Sequence, residues 1–130
     1  MKYTLVAASL LLAIGLLGSC GQTQHLQGRN LYVEHCANCH MEDGSGLRRL
    51  IPPLAGADYL RDNPREVVRG IRYGMEGPMV VNGITYNYEM PANRKVSEFQ
   101  IVNIVNYINQ AWGNNYGRVT VEEARRWLAE

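Results

Sequence analysis

The sequence has few cysteines, little net charge beyond its N-terminus and no apolar run long enough to span a membrane. Only three of its 130 residues are cysteine, which excludes a four-cysteine zinc site. Once Lys2 is set aside, basic and acidic residues are equal at 12 each, so no bulk attraction to nucleic acid is expected. The longest apolar run, LVAASLLLAIGLLG, falls short of the roughly 20 residues that a transmembrane helix needs.

That apolar run is typical of a secretory signal, because it follows a short basic start and leads to small residues. Its end, Leu17-Gly18-Ser19-Cys20, resembles the bacterial lipoprotein signal, in which the cysteine is lipidated and becomes the new N-terminus. The resemblance implies a signal peptide over residues 1–19 and export of the domain, which more than one acyl chain would anchor stably to a bacterial membrane. An ordinary signal peptide followed by an unmodified cysteine is the alternative.

The folded domain is predicted to begin at residue 28. Residues 20–27 are polar and aperiodic, which predicts a lipidated tether. With Cys20 assigned to lipid, two cysteines remain, so no pair is left over for a structural disulfide.

Those two cysteines belong to the motif Cys36-Ala-Asn-Cys39-His40. The spacing allows a redox disulfide, half of a zinc site, or covalently attached haem, since two thiols can add to the two vinyl groups of one porphyrin while the imidazole binds the iron. A thioredoxin-type dithiol would need a surrounding βαβ pattern, which is missing, and zinc would need His25 or His35 as a further ligand. Haem attachment is therefore favoured.

Helical patterns dominate the rest of the chain, with no internal repeat. A first helix is expected over residues 28–40, followed by a Gly- and Pro-rich irregular stretch over 41–60. Asn63 as cap, Pro64 at the first helical position and Gly74 at the end predict a second helix. Asn82-Gly83 between β-branched runs predicts a hairpin.

Two further helices are predicted from capping boxes. Ser97 with Gln100 opens the first, whose predicted apolar face is Phe99, Val102, Ile104, Val105, Ile108 and Trp112. Thr120 with Glu123 opens a final short helix whose Ala124, Trp127 and Leu128 are expected to pack on the body. Long irregular connections bury little core by themselves, and a large planar apolar group such as haem would give them a surface to pack on.

A methionine thioether is one common second ligand of haem iron. The four methionines after the motif are Met41, Met75, Met79 and Met90. Met41 follows His40 directly and cannot easily reach the opposite iron face. Met90, next to the stiffening Pro91 and between the hairpin and a capped helix, is the preferred candidate.

From about Gly28 to Asn114 the chain resembles a class I cytochrome c domain, on the segments YVEHCANCH, PPLAGADYL, GPMVVNGITYNYEMP and SEFQIVNIVNYINQAWGN. The resemblance implies an all-α fold around one covalent haem, with a small hairpin before the methionine loop. It implies attachment through Cys36 and Cys39 and iron ligation by His40 and Met90. It also implies that the carbonyl of Pro53 (or Pro52) receives the other N–H of the histidine.

The same resemblance implies that Gly28 and Tyr32 on the first helix cross Ile104 and Tyr107 on the later one. The function implied is single-electron carriage between redox partner proteins, without substrate turnover. The alternatives are the electron-exit subunit of a dehydrogenase or reductase, or a gas-binding haem sensor with a weakly held methionine. Four arginines, Arg61, Arg65, Arg69 and Arg72, are interpreted as a solvated helix face, with a partner-docking patch or a clamp on haem propionates as alternatives.

Overall fold

The computed structural model describes residues 19–130, with side chains described from residue 25 onward. The predicted signal peptide, apart from Ser19, and the side chain of Cys20 lie outside that description. The described residues form six helices and one hairpin, which confirms the prediction of a mainly helical chain with a small hairpin, although only four helices were predicted. They are α1 (Ser19–His35), α2 (Ala37–His40), α3 (Asp58–Asp62), α4 (Pro64–Tyr73), β1 (Met79–Val81), β2 (Ile84–Tyr86), α5 (Glu98–Ile108) and α6 (Val121–Ala129).

Within residues 19–130, no helix is both long enough and apolar enough to cross a membrane.

The first helix differs from its prediction at both ends. It begins at Ser19, so residues 20–27, predicted to be an aperiodic tether, are helical. Near the end of this extension, His25 packs edge-on against Tyr107 of α5 with ring centroids 5.2 Å apart. At the other end the helix stops before Cys36, and the motif continues as the separate turn α2.

Helices α1 and α5 cross at a glycine, as expected. A Cβ at Gly28 would overlap the carbonyl oxygen of Asn103 and lie 2.7 Å from the Tyr107 Cβ. Only a residue without a side chain allows this approach. One turn later the fully buried Tyr32 packs on Tyr107, with ring centroids 5.5 Å apart. Ile104, the other residue expected at this crossing, is buried.

Helix α4 has the predicted bounds but not the predicted cap. Pro64 opens it, and Gly74 ends it with φ of 83°. The Asn63 side chain makes no capping bond; instead its Nδ2 donates to the Tyr59 carbonyl at 3.2 Å. The reason is helix α3, which the sequence analysis did not predict and whose last turn binds the Asn63 amide.

The hairpin forms at the predicted turn, with φ of 50° at Asn82 and 75° at Gly83. Positive φ at both central residues matches the twist of the paired strands. The strands pair antiparallel, with Met79 opposite Tyr86. Asp58 and Asn82 exchange two bonds, since each side-chain oxygen accepts from the other's backbone N–H at 2.8 and 3.0 Å. These bonds attach the hairpin to the start of α3.

Both predicted capping boxes are present, at Ser97 with Gln100 and at Thr120 with Glu123. Helix α5 buries Ile101, Val102, Ile104, Val105, Tyr107 and Ile108. The prediction for Phe99 was wrong: this side chain is 54% exposed. It lies about 200° round the helix from Ile101, which is fully buried. Trp112 lies beyond the end of α5, in a turn with φ of 53°.

Asparagine side chains hold the segment after α5 against that helix. Asn106 and Val119 exchange two bonds of 2.9 and 2.8 Å, as neighbouring strands do. Val119 and Ala124 are buried, so α6 packs back on the body as predicted.

Candidate functional site

A cavity of about 270 Å³ opens between α2, α4, the loop over residues 50–54 and the loop over residues 88–93. Its wall is mostly apolar and includes the predicted site residues Cys36, Cys39, His40 and Met90. Side chains that are far apart in sequence are thus brought to one cavity. Ile104 and Ile108 of α5 form part of its floor.

The motif presents both thiols and the imidazole from one short turn. The backbone N–H groups of Cys39 and His40 donate to the Cys36 carbonyl at 3.1 and 2.9 Å. Burial, with a smaller contribution from Cys39, raises the pKa of the Cys36 thiol to about 12. A thioredoxin-type dithiol requires a lowered thiol pKa, so this environment disfavours the redox-disulfide alternative.

The zinc alternative finds no support in the described part of the chain. Among the side chains that the structure describes, from residue 25 onward, no group of three or more histidine, cysteine, aspartate or glutamate residues could hold a metal ion. His35 lies beside Glu34, with Nε2 and Oε1 3.7 Å apart, and His25 packs on Tyr107.

His40 is oriented by one hydrogen bond. Its Nδ1–H donates to the Pro52 carbonyl at 3.1 Å, which leaves the Nε2 lone pair available to a metal. Burial lowers the pKa of the imidazole, and the bond to Pro52 opposes that shift in part. The prediction favoured Pro53; the accepting carbonyl is that of Pro52, while Pro53 lines the cavity.

The loop over residues 41–57 determines which proline faces the histidine. Leu47 and Ile51 pair within it, and Gly46 N–H donates to the His40 carbonyl at 3.1 Å. Gly46 has φ of 68°, and a Cβ there would lie 2.6 Å from the Pro52 oxygen. The loop is therefore tightly bonded, and its glycine allows the Pro52 carbonyl to approach.

Tyr32 supports the motif from the other side. Its hydroxyl donates to the Met41 carbonyl at 2.6 Å, directly after His40, and its ring lines the cavity. Burial raises the pKa of this phenol, with Cys36 as the next contributor. Met41 itself is outside the cavity lining, in agreement with its rejection as a ligand.

Three methionines line the cavity: Met75, Met79 and Met90. The Met75 sulfur packs against Gly70 of α4. The contact is so close that a Cβ at Gly70 would lie 2.6 Å from the sulfur. Met90 is bonded through its backbone to Met75 in both directions, at 2.9 and 3.0 Å. These bonds fix the Met90 loop against the end of α4.

The donor set fits a haem. Two thiols stand beside a buried imidazole with a free nitrogen, and a thioether lines the same apolar cavity. An apolar macrocycle would fill the space that the side chains leave, and thioether sulfur and imidazole are both ligands of haem iron.

The four arginines that the sequence places in or near the second predicted helix bind carboxylates or backbone carbonyls of the chain itself. Arg61 pairs with Asp62 at 2.8 Å. Arg65 pairs with Glu130 at 2.6 Å. Arg69 and Arg72 donate to backbone carbonyls at 2.6 and 3.2 Å, and the cavity lining includes none of the four.

Comparison with known proteins agrees with this site. A family model described as cytochrome c matches residues 26–112. Cytochrome c-552 of Thermus thermophilus is 32% identical over 129 residues, which cover 92% of this chain and 86% of that protein. The cytochrome c subunit of a quinone alcohol dehydrogenase from Gluconacetobacter polyoxogenes is 36% identical over 109 residues. That match covers 82% of this chain and 23% of the subunit.

A further relative is the cytochrome c subunit of gluconate 2-dehydrogenase from Pantoea cypripedii, 34% identical over 92 residues. The match covers 67% of this chain and 20% of that subunit. The chain thus spans less than a quarter of each of these dehydrogenase subunits, 23% and 20%.

Proposed function

The chain belongs to the cytochrome c family, and we propose that it carries single electrons between two redox proteins while tethered to a membrane, with His40 and Met90 as axial ligands. It is an electron-transfer protein with a covalent haem c and is not itself catalytic. When bound, the haem supplies an iron that gains and loses one electron. The protein's part is to hold the ligands, exclude water and bind its partners.

One observation carries the proposal: the thiols, the oriented His40 and Met90 all line the same apolar cavity. If His40 and Met90 held the iron when the haem is bound, the iron would have no position left for a substrate or a gas. This favours the carrier over the sensor alternative.

Two contacts support Met90 over the other methionines in the lining. The Met75 sulfur is used in packing on Gly70 of α4, and Met79 is paired opposite Tyr86 in the hairpin. Met90 lies on a loop that its bonds to Met75 hold in place.

Replacement of Met90 tests this assignment. Met90→Ala is expected to open the iron, so the reduced protein should bind carbon monoxide and change its absorption spectrum. Met79→Ala is the matched control, since it removes a methionine from the same wall and should leave the spectrum unchanged on addition of the gas. Carbon monoxide binding by the Met79 variant alone would reassign the ligand.

Export and membrane tethering rest on the Leu17–Cys20 segment. Cys20→Ala, with the rest of the signal intact, is expected to move the haem-containing protein from the membrane fraction to the soluble exported fraction. Retention in the membrane fraction would contradict lipidation as the anchor.

The partners proposed are a donor and an acceptor protein of a respiratory or dehydrogenase system. The long match to cytochrome c-552 supports a separate carrier, whereas the relatives named as dehydrogenase subunits support an electron-exit subunit as the second candidate. Purification in mild detergent distinguishes them: a carrier should elute alone, and a subunit should elute with a catalytic chain.

A further inference from the structure

The C-terminal end of α6 is bound by side chains of α4. Arg69 Nη1 donates to the Trp127 carbonyl at 2.6 Å, and the Tyr73 hydroxyl donates to the Leu128 carbonyl at 2.6 Å. The last carbonyls of a helix have no partner within the helix, so α4 supplies partners that α6 itself lacks.

A third contact extends this row along α4. Arg65 Nη2 lies 2.6 Å from Glu130 Oε2. Residues 65, 69 and 73 are spaced by four, so they form one ridge on α4. Two arginines on that ridge also place positive charge at the negative end of the α6 dipole. We call residues 119–130 the C-terminal brace.

The C-terminal end of α4 also holds the Met90 loop. A Cβ at Gly74 would lie 2.7 Å from the Met90 carbonyl oxygen, and Met75 and Met90 exchange two backbone bonds of 2.9 and 3.0 Å. Asn93 N–H donates to the Ile71 carbonyl at 2.9 Å. Tyr73, which binds the brace, thus lies between residues that bind the loop.

The same helix thus binds both the brace and the Met90 loop. We therefore propose that the C-terminal brace, acting through Arg69 and Tyr73, positions the Met90 loop and so sets how readily Met90 is displaced from the iron. The proposal rests on Met90 being the distal ligand. The brace lies outside residues 26–112, which match the family model. Arg69 and Tyr73 are positioning residues in this account, since they touch α6 and not the cavity.

The size of the effect follows from one hydrogen bond. Loss of a bond of this kind changes an equilibrium by about two- to tenfold. If the brace and the loop are coupled through α4, part of that change should appear in the equilibrium between bound and displaced Met90.

The test uses the full-length ferric holoprotein titrated with imidazole, which competes with a weakly held methionine and is followed by absorption. Tyr73→Phe keeps the ring and removes only the hydroxyl that donates to Leu128. Arg125→Gln is the matched control, because Arg125 lies on the brace but pairs with Glu98 of α5 at 3.4 Å. Met90→Ala calibrates the fully displaced state.

We expect Tyr73→Phe to bind imidazole more tightly, by up to about tenfold, Arg125→Gln to match the unmodified protein, and Met90→Ala to bind most tightly. Unchanged affinity in Tyr73→Phe beside tighter binding in Met90→Ala would overturn the proposal and leave the ligand assignment standing. Equal tightening in Tyr73→Phe and Arg125→Gln would also overturn it, because the effect would then not pass through α4. Unchanged affinity in Met90→Ala would instead refute the ligand assignment itself.

Discussion

Asn114 links the loop beside the haem cavity to the end of α5, and its removal should cost more stability than most polar substitutions. Its side chain is buried and makes three bonds with the backbone: Oδ1 accepts from Gly56 N–H at 2.7 Å, and Nδ2 donates to Leu54 and Ile108 carbonyls at 3.0 and 2.7 Å. Asn114→Ala removes all three hydrogen bonds. The backbone groups of Gly56, Leu54 and Ile108 are then left without the hydrogen-bond partner that Asn114 provides in place of water.

Each bond contributes about 0.5–1.5 kcal/mol net, so the three together predict a loss of about 2–4 kcal/mol in the free energy of unfolding. Urea denaturation of the holoprotein measures this loss directly. Asn63→Ala is the control, because that side chain makes one part-buried bond of 3.2 Å to Tyr59 and should cost no more than about 1 kcal/mol. An equally small loss for Asn114→Ala would refute the inference that this residue anchors the loop.

Two further predictions concern packing and pH. Gly28→Ala should destabilise the protein by about 1–3 kcal/mol in urea denaturation, because its Cβ would enter the α5 backbone, whereas Gly117→Ala, whose Cβ meets nothing within 4 Å, should be nearly neutral. The Thr120 backbone and side chain lower the pKa of the Glu123 carboxyl below its ordinary value of 4.5, so its contribution to stability should be present above pH 4.5 and be lost as the pH falls through the lowered value. Thr120→Ala keeps the backbone N–H and removes only the hydroxyl, so it should raise the Glu123 pKa part of the way back; an NMR titration in which the pKa does not change would contradict the side-chain contribution.

Features fixed by neighbouring residues were predictable from the sequence. The hairpin at Asn82-Gly83 depends on the positive φ that these two residues tolerate. Both capping boxes depend on pairs three residues apart, such as Ser97 with Gln100. The Cys-x-x-Cys-His motif likewise carries its geometry within one turn.

Features fixed by tertiary contacts were not predictable in detail. The carbonyl facing His40 belongs to Pro52 because a bonded loop presents it, and local sequence does not distinguish two adjacent prolines. Phe99 fits an apolar pattern but faces solvent, because it lies about 200° round α5 from the fully buried Ile101.

The C-terminal brace also escaped prediction in part. In the sequence, Arg69 is typical of a solvated surface charge. In the structure it donates to the Trp127 carbonyl at the end of α6. The sequence signal for such a contact is the spacing by four of three long side chains that can donate hydrogen bonds, at residues 65, 69 and 73. The α6 residues that they contact lie more than 50 residues further along the chain.

The central claim is that side chains hold both axial positions of the haem iron. The most direct test is the absorption spectrum of the reduced, haem-matured protein before and after addition of carbon monoxide. The account predicts an unchanged spectrum, because with His40 and Met90 as the proposed ligands no face of the iron would be open to the gas. A clear shift on addition of the gas would show an open face, contradict the Met90 assignment and favour the sensor alternative.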